Sequence, residues 1–196
     1  MPNASIRFRN GDLDSLREKL LEDLANEQYA ILFGKTEVVN NTYITTVREI
    51  IYPLSNDLEG QSVVSLRINR QFVGDALDRL RARIDCDTLI DVHTHPFSKG
   101  GAAFSGTDDM DEKRFYSYLT KEWPDINYAS IVLSQTMYDA RFWSCGTGRY
   151  INAEVKTQLM HEAIKHSSYK AVSVDAELEA MFNRGILALG VGSMKS

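Results

Sequence analysis

Thr88-Leu89-Ile90-Asp91-Val92-His93-Thr94-His95-Pro96 is the stretch that decides how this chain reads. The apolar lead-in Leu89-Ile90 and the stop at Pro96 predict a β-strand over 88–95. Successive side chains on a strand point to opposite faces, so His93 and His95 project to the same one. Two neutral imidazoles side by side make half of a zinc site. On a helix this spacing fails, because paired ligands there stand a turn apart. Taken alone, His-x-His is better explained by two surface or core histidines, since most histidines bind no metal.

Downstream, the Gly/Ala/Ser-rich loop 97–104 leads to Ser105-Gly106-Thr107-Asp108. Gly100 and Gly101 allow a tight return of the backbone, which can bring Asp108 back over the histidine face. Two imidazoles and one carboxylate leave the fourth position of a zinc ion open. Ser-x-x-Asp ahead of a helical run also resembles a capping box. The two readings are compatible, since a cap fixes where Asp108 points. Asp109 is a competing ligand one residue on. Upstream, Glu27 lies between the first helix and the first strand. By itself it is an ordinary solvated glutamate.

The rest of the chain supplies a frame. Leu13, Leu16, Leu20 and Leu24 share one helical face over 12–26, with Asp12 or Asp14 as cap. Strands are predicted at 28–33, closed by Gly34, at 42–52, at 63–68, at 128–134 and at 138–143. Helices are predicted at 71–84 and 107–121. After Gly146 the pattern weakens, with helices expected at 161–166 and 175–183. This alternation predicts an α/β or α+β sheet domain over 1–150, followed by an extension over 151–196.

Composition narrows the function. The chain has 196 residues, 43% hydrophobic and 25% charged, enough for one domain with its own core. A formal net charge of -5 and the lack of a basic stripe argue against nucleic acid as partner. Cys86 and Cys145 make neither a disulfide framework nor a four-cysteine zinc site. Residues 1–12 carry arginines and are not a secretory signal, and no apolar run is long enough for a membrane helix. A cytoplasmic protein is expected.

His93-Thr94-His95-Pro96 followed by Ser105-x-x-Asp108 resembles the signature of the JAB/MPN (JAMM) zinc metalloproteases. Glu27-Gln28-Tyr29-Ala30-Ile31-Leu32-Phe33-Gly34 is similar to that family's Glu-x-x-Gly-Leu-Leu-x-Gly segment, and 128–134 with 138–143 resembles its closing hairpin. The likeness spans roughly residues 12 to 145. It implies a cytidine-deaminase-like domain: a central mixed β-sheet flanked by helices. It implies Zn2+ on His93, His95 and Asp108, Glu27 as general base and Ser105 as donor to the oxyanion. It implies a deubiquitinase-like isopeptidase acting after the tail of a ubiquitin-like protein, with an E1-like adenylating enzyme as a second partner. Nine residues, Pro96 to Phe104, separate His95 from Ser105, two more than is usual in the family; a loop absorbs such an insertion at little cost. Ala30 stands where the family favours Gly.

Three further readings stay open. A non-catalytic MPN scaffold is one, although such relatives lose zinc ligands and all three are present here. A zinc hydrolase of a small amide is another, since zinc chemistry attacks several electrophiles. The third is a cysteine hydrolase built on Cys86 or Cys145 with His161 or His166. Asp91 shares the histidines' face and is either a supporting partner or a strand-start residue. Met181-Phe182-Asn183-Arg184-Gly185-Ile186-Leu187-Ala188-Leu189-Gly190 resembles the arginine-containing opening of E1-like (ThiF-type) domains, and an amphipathic tail helix accounts for it equally well.

Overall fold

Alternation along one central strand sorts the whole domain into two layers. In β6 (Thr88–Thr94), Ile90 and Val92 face one side, while Leu89, Asp91 and His93 face the other. The neighbours β2 (Tyr29–Val39) and β7 (Asn127–Leu133) repeat the division. Ala30, Leu32, Ala129 and Ile131 join the first side; Ile31, Phe33 and Tyr128 join the second. The first side is packed around Leu16 and Leu20 of α1 (Asp12–Leu20). The second carries α2 (Arg70–Arg81) and α3 (Gly106–Glu122), through Ala76, Leu77, Leu80, Tyr116 and Leu119. The structure is a computed structural model and describes residues 3–62, 65–98 and 101–157.

The sheet is mixed and closes on itself. Its order is β1 (Asn3–Phe8), β3 (Thr42–Ile51), β2, β6, β7, β8 (Tyr138–Trp143) and β9 (Tyr150–Thr157), with β9 returning to β1. β6 and β7 run parallel and are joined through α3, as a parallel pair requires. β4 (Leu58–Ser62) and β5 (Ser65–Ile68) form a separate antiparallel hairpin. Thus a mixed sheet and three helices make up the described α/β domain, in line with the expected class.

Several local expectations change. β1 was not foreseen: Ala4, Ile6 and Phe8 alternate into the core, between the polar residues that masked them. β9 carries the sheet past the expected boundary at residue 150, to Thr157; it pairs with β1 and β8, and only Val155 of its side chains is buried. Neither Asp12 nor Asp14 caps α1. Gly11, at φ 86, holds the cap position and makes no side-chain bond. That helix ends at Leu20 because Asp23 turns the chain, accepting from Ala25 N–H and Asn26 Nδ2. α2 stops at Arg81, and Ile84 lies 99% exposed. The expected helices at 161–166 and 175–183 and the segment Met181–Gly190 lie outside the described residues. No helix among the described residues is long and apolar enough to cross a membrane.

Gly34 does not close its strand. β2 runs through it with a shift in register against β3 between Phe33 and Gly34. Glycine is needed because β3 comes close: a Cβ at 34 would lie 2.7 Å from Thr45 Cγ2 and 3.2 Å from the Thr46 carbonyl oxygen. Thr45 cannot swing aside freely, being β-branched, fully buried and bonded at Oγ1 to Thr36 Oγ1 at 2.8 Å. Gly34→Ala is therefore expected to destabilise the fold by about 1–3 kcal/mol. Gly74→Ala in α2, where an added methyl meets nothing within 4 Å, is expected to stabilise it by about 0.5–1 kcal/mol. Urea denaturation reads both; a Gly34→Ala midpoint at or above wild type contradicts the close approach of β3.

Candidate metal centre

The end of β6 is held by a short ladder that also places Glu27. Thr94 N–H donates to the Gln28 carbonyl at 3.1 Å, and Gln28 N–H donates to Thr94 Oγ1 at 2.9 Å. Thr94 is fully buried. On the other side, His95 N–H donates to the Leu133 carbonyl at 2.7 Å. The antiparallel register sets Tyr29 opposite His93 and so brings Glu27 to His95: Glu27 Oε1 lies 3.9 Å from His95 Nε2. Glu27 is 8% exposed, so it is not the solvated residue that its sequence context suggests. The middle residue of His-Thr-His is the clamp here, a role the sequence reading did not give it.

Asp108 arrives from the start of α3. Ser105 is the N-cap: its Oγ accepts from Asp108 N–H at 3.2 Å, and Asp108 Oδ2 accepts from Ser105 N–H at 2.5 Å. This reciprocal box fixes the Asp108 carboxylate. Its Oδ1 then lies 3.5 Å from His93 Nε2 and its Oδ2 3.6 Å from His95 Nε2. Asp109, the competing candidate, is turned away to Arg141 Nη1 at 2.6 Å.

Ligand atoms of His93, His95 and Asp108 all lie within 4.8 Å of one another. Bonds of about 2.0–2.2 Å in tetrahedral geometry put ligand atoms roughly 3.3–3.6 Å apart; here each imidazole meets a different oxygen of Asp108, His93 at 3.5 Å from Oδ1 and His95 at 3.6 Å from Oδ2. His93 Nε2 is buried and makes no well-formed hydrogen bond among the described residues, with Asp108 Oδ1 at 3.5 Å its neighbouring acceptor. A buried polar atom of this kind is costly unless something occupies its lone pair. The donor set could therefore hold a metal ion, and the fit comes from the residues themselves.

Charge is concentrated around this point. A cavity of about 320 Å³ is lined by Glu27, Asp91, His93, His95, Ser105 and Asp108, with Tyr29, Phe115 and Tyr128 among its walls. Burial pushes Glu27 above the usual glutamate range, against the pull of His93. Burial also drives Asp91 up to about 7, although Tyr128 donates its hydroxyl to it. Asp91 is thus mid-strand and faces the cavity, not a strand-start residue. Burial alone would lower His93, but the carboxylates of Asp108, Asp91 and Glu27 outweigh it and raise the group. His95 is lowered, by burial and by His93, while the Asp108 carboxylate pulls the other way. Asp108 is held well below the carboxylate range: burial opposes this, but His93 and the Ser105 N–H prevail.

Neither cysteine belongs to this cavity. Cys86 is buried and its thiol is pushed up by burial; Cys145 is exposed. That leaves a cysteine nucleophile without support among the described residues, and His161 and His166 lie outside them.

Because His93 is raised above its ordinary value of 6.5, chiefly by the Asp108, Asp91 and Glu27 carboxylates, it holds a proton at about pH 6 more firmly than a free imidazole does. A divalent ion must displace that proton. Zinc titrated calorimetrically at about pH 6 in buffers of different ionisation enthalpy is expected to show proton release on binding. Zinc binding at that pH with no proton released would contradict the assignment of His93 as ligand.

The solution structure of the protein DSY2949 from Desulfitobacterium hafniense is similar to this chain at 17% identity and a TM-score of 0.48, over 78% of this chain and 92% of that one. Comparison with curated proteins gives no match. The family described as prokaryotic homologs of the JAB domain matches residues 10–146, a span that takes in Glu27, both histidines, Ser105 and Asp108. The chain belongs to this family of prokaryotic JAB-domain homologs.

Proposed function

We propose that this protein is a zinc metallopeptidase that hydrolyses a peptide or isopeptide bond after the C-terminal tail of a ubiquitin-like protein. The observation that carries the reading is the approach of the buried Glu27 carboxylate, 3.9 Å from His95 Nε2, to three convergent metal donors in one cavity. Two imidazoles and a carboxylate suit zinc among first-row metals. Zinc held by His93, His95 and Asp108 would supply Lewis acidity at the scissile carbonyl.

The chain's own groups divide the remaining work. Glu27 takes a proton from the attacking water as its oxygen adds to the carbonyl carbon. It then delivers that proton to the amine nitrogen as the C–N bond breaks. Burial raises its proton affinity, which brings a carboxyl closer to the neutral range where both transfers run well. Ser105 Oγ already accepts from Asp108 N–H, so its own O–H is left to donate to the developing oxyanion.

An extended tail suits the surroundings. The seven-stranded sheet is closed and offers no edge, whereas the β4–β5 hairpin has edges and contributes Ile68 to the cavity wall. A thin tail ending Gly-Gly can add beside such a strand by main-chain bonds. A link to an E1-like adenylating enzyme rests on the sequence resemblance alone. Against a non-catalytic scaffold stands the complete set of donors and base in one cavity.

Glu27→Gln is expected to keep about one zinc per chain and to lose cleavage of a Gly-Gly-linked ubiquitin-like fusion by roughly 10²–10⁴-fold. His95→Ala is expected to lose both. Metal content by atomic spectrometry and cleavage by gel shift read the two. Wild-type cleavage by Glu27→Gln would overturn the base. A zinc-loaded wild type inert on every such fusion would overturn the substrate.

A further inference from the structure

Asp108 and the two histidines sit on different elements. A buried cation anchors the start of α3. Arg141, on β8, is 9% exposed and shares the sheet face that carries α3. Its Nη1 donates to Asp109 Oδ1 at 2.6 Å and to Glu112 Oε2 at 2.9 Å, two carboxylates on the first turns of α3. The Phe104 ring lies 4.0 Å from its guanidinium carbon and the Tyr150 ring 4.4 Å. Phe104 also meets the His93 ring edge-on, at 6.1 Å between centroids. Arg141 therefore touches the residue just before Ser105 and the residue just after Asp108.

We propose that Arg141 is the positioning residue of the metal centre: it locks the segment 104–112 so that Asp108, and not Asp109, faces His93 and His95. The inference rests on the metal reading above. The first turn of α3 holds two adjacent acids, either of which could serve a cation. Arg141 takes Asp109 in a charge-assisted bond, which leaves Asp108 as the carboxylate for the imidazoles. Its planar group against Phe104 fixes the end of the lengthened loop on the same anchor, a contact that lysine would not reproduce.

A double-mutant cycle on the full chain tests this. Zinc affinity is measured by competition with a chromophoric chelator for wild type, Arg141→Met, Asp108→Ala and the double variant, with thermal melts of the metal-free proteins alongside. Arg141→Met is expected to weaken zinc binding by about 10–100-fold when Asp108 is present and by less than about 3-fold in Asp108→Ala, because a positioning residue acts only through what it positions. Arg141→Lys is expected to fall between. Arg141→Met strands the buried Glu112 carboxylate; should it fail to fold, Phe104→Leu, which unpairs no charge, runs the same cycle with an expected loss of about 2–10-fold. Equal losses in both backgrounds, with zinc still bound by wild type, overturn the role of Arg141 alone. Failure of wild type to bind zinc overturns the metal reading and this inference with it.

Discussion

A β-strand sends successive side chains to opposite faces, and in β6 that alternation governs everything built around it. Ile90 and Val92 are committed to the α1 layer, so Asp91 and His93 must face α3, with His95 carrying the same alignment to the strand's end. A one-residue slip would bury the imidazoles among aliphatic side chains and expel the valine. The register is pinned on both sides. β2 fixes it through the Gln28–Thr94 pair of hydrogen bonds, and β7 through the bond from His95 N–H to Leu133. Glu27 is placed by the same constraint, since it directly precedes the clamped Gln28.

The cost of this arrangement is electrostatic. Glu27, Asp91 and Asp108 share one cavity with two imidazoles. Burial drives Glu27 and Asp91 up, while His93 and the Ser105 N–H hold Asp108 down; one imidazole is raised by its acidic neighbours and the other lowered. Like charges held close in a water-poor space resist ionising together. A divalent cation is the natural relief, which ties the shape of the fold to the chemistry it can host. Arg141 relieves the neighbouring pair, Asp109 and Glu112, by a different means.

Much of the site was legible because short-range rules place it. His93 and His95 follow from period two. Ser105 and Asp108 follow from helix capping, and the cap indeed aims the carboxylate. Glu27 was visible only through the family resemblance, for its burial depends on the non-local pairing of β2 with β6. Gly34 was misread as a stop, since its purpose is the close approach of Thr45, which no local window contains. β1 and β9 escaped notice for a related reason: each is stabilised by parallel pairing with a strand distant in sequence, and β9 buries a single side chain. Arg141 gave no signal either. A lone arginine in a strand looks exposed until α3 and Phe104 close over it.

The central claim is that His93, His95 and Asp108 bind one zinc ion together. X-ray absorption at the zinc edge of the loaded protein tests it most directly. One tightly held ion with two imidazole nitrogens and carboxylate oxygen at about 2.0–2.2 Å is expected, with loss of the oxygen or imidazole signal when the corresponding residue is replaced. A sulfur shell at about 2.3 Å, or a spectrum unchanged by replacing any of the three, would contradict it.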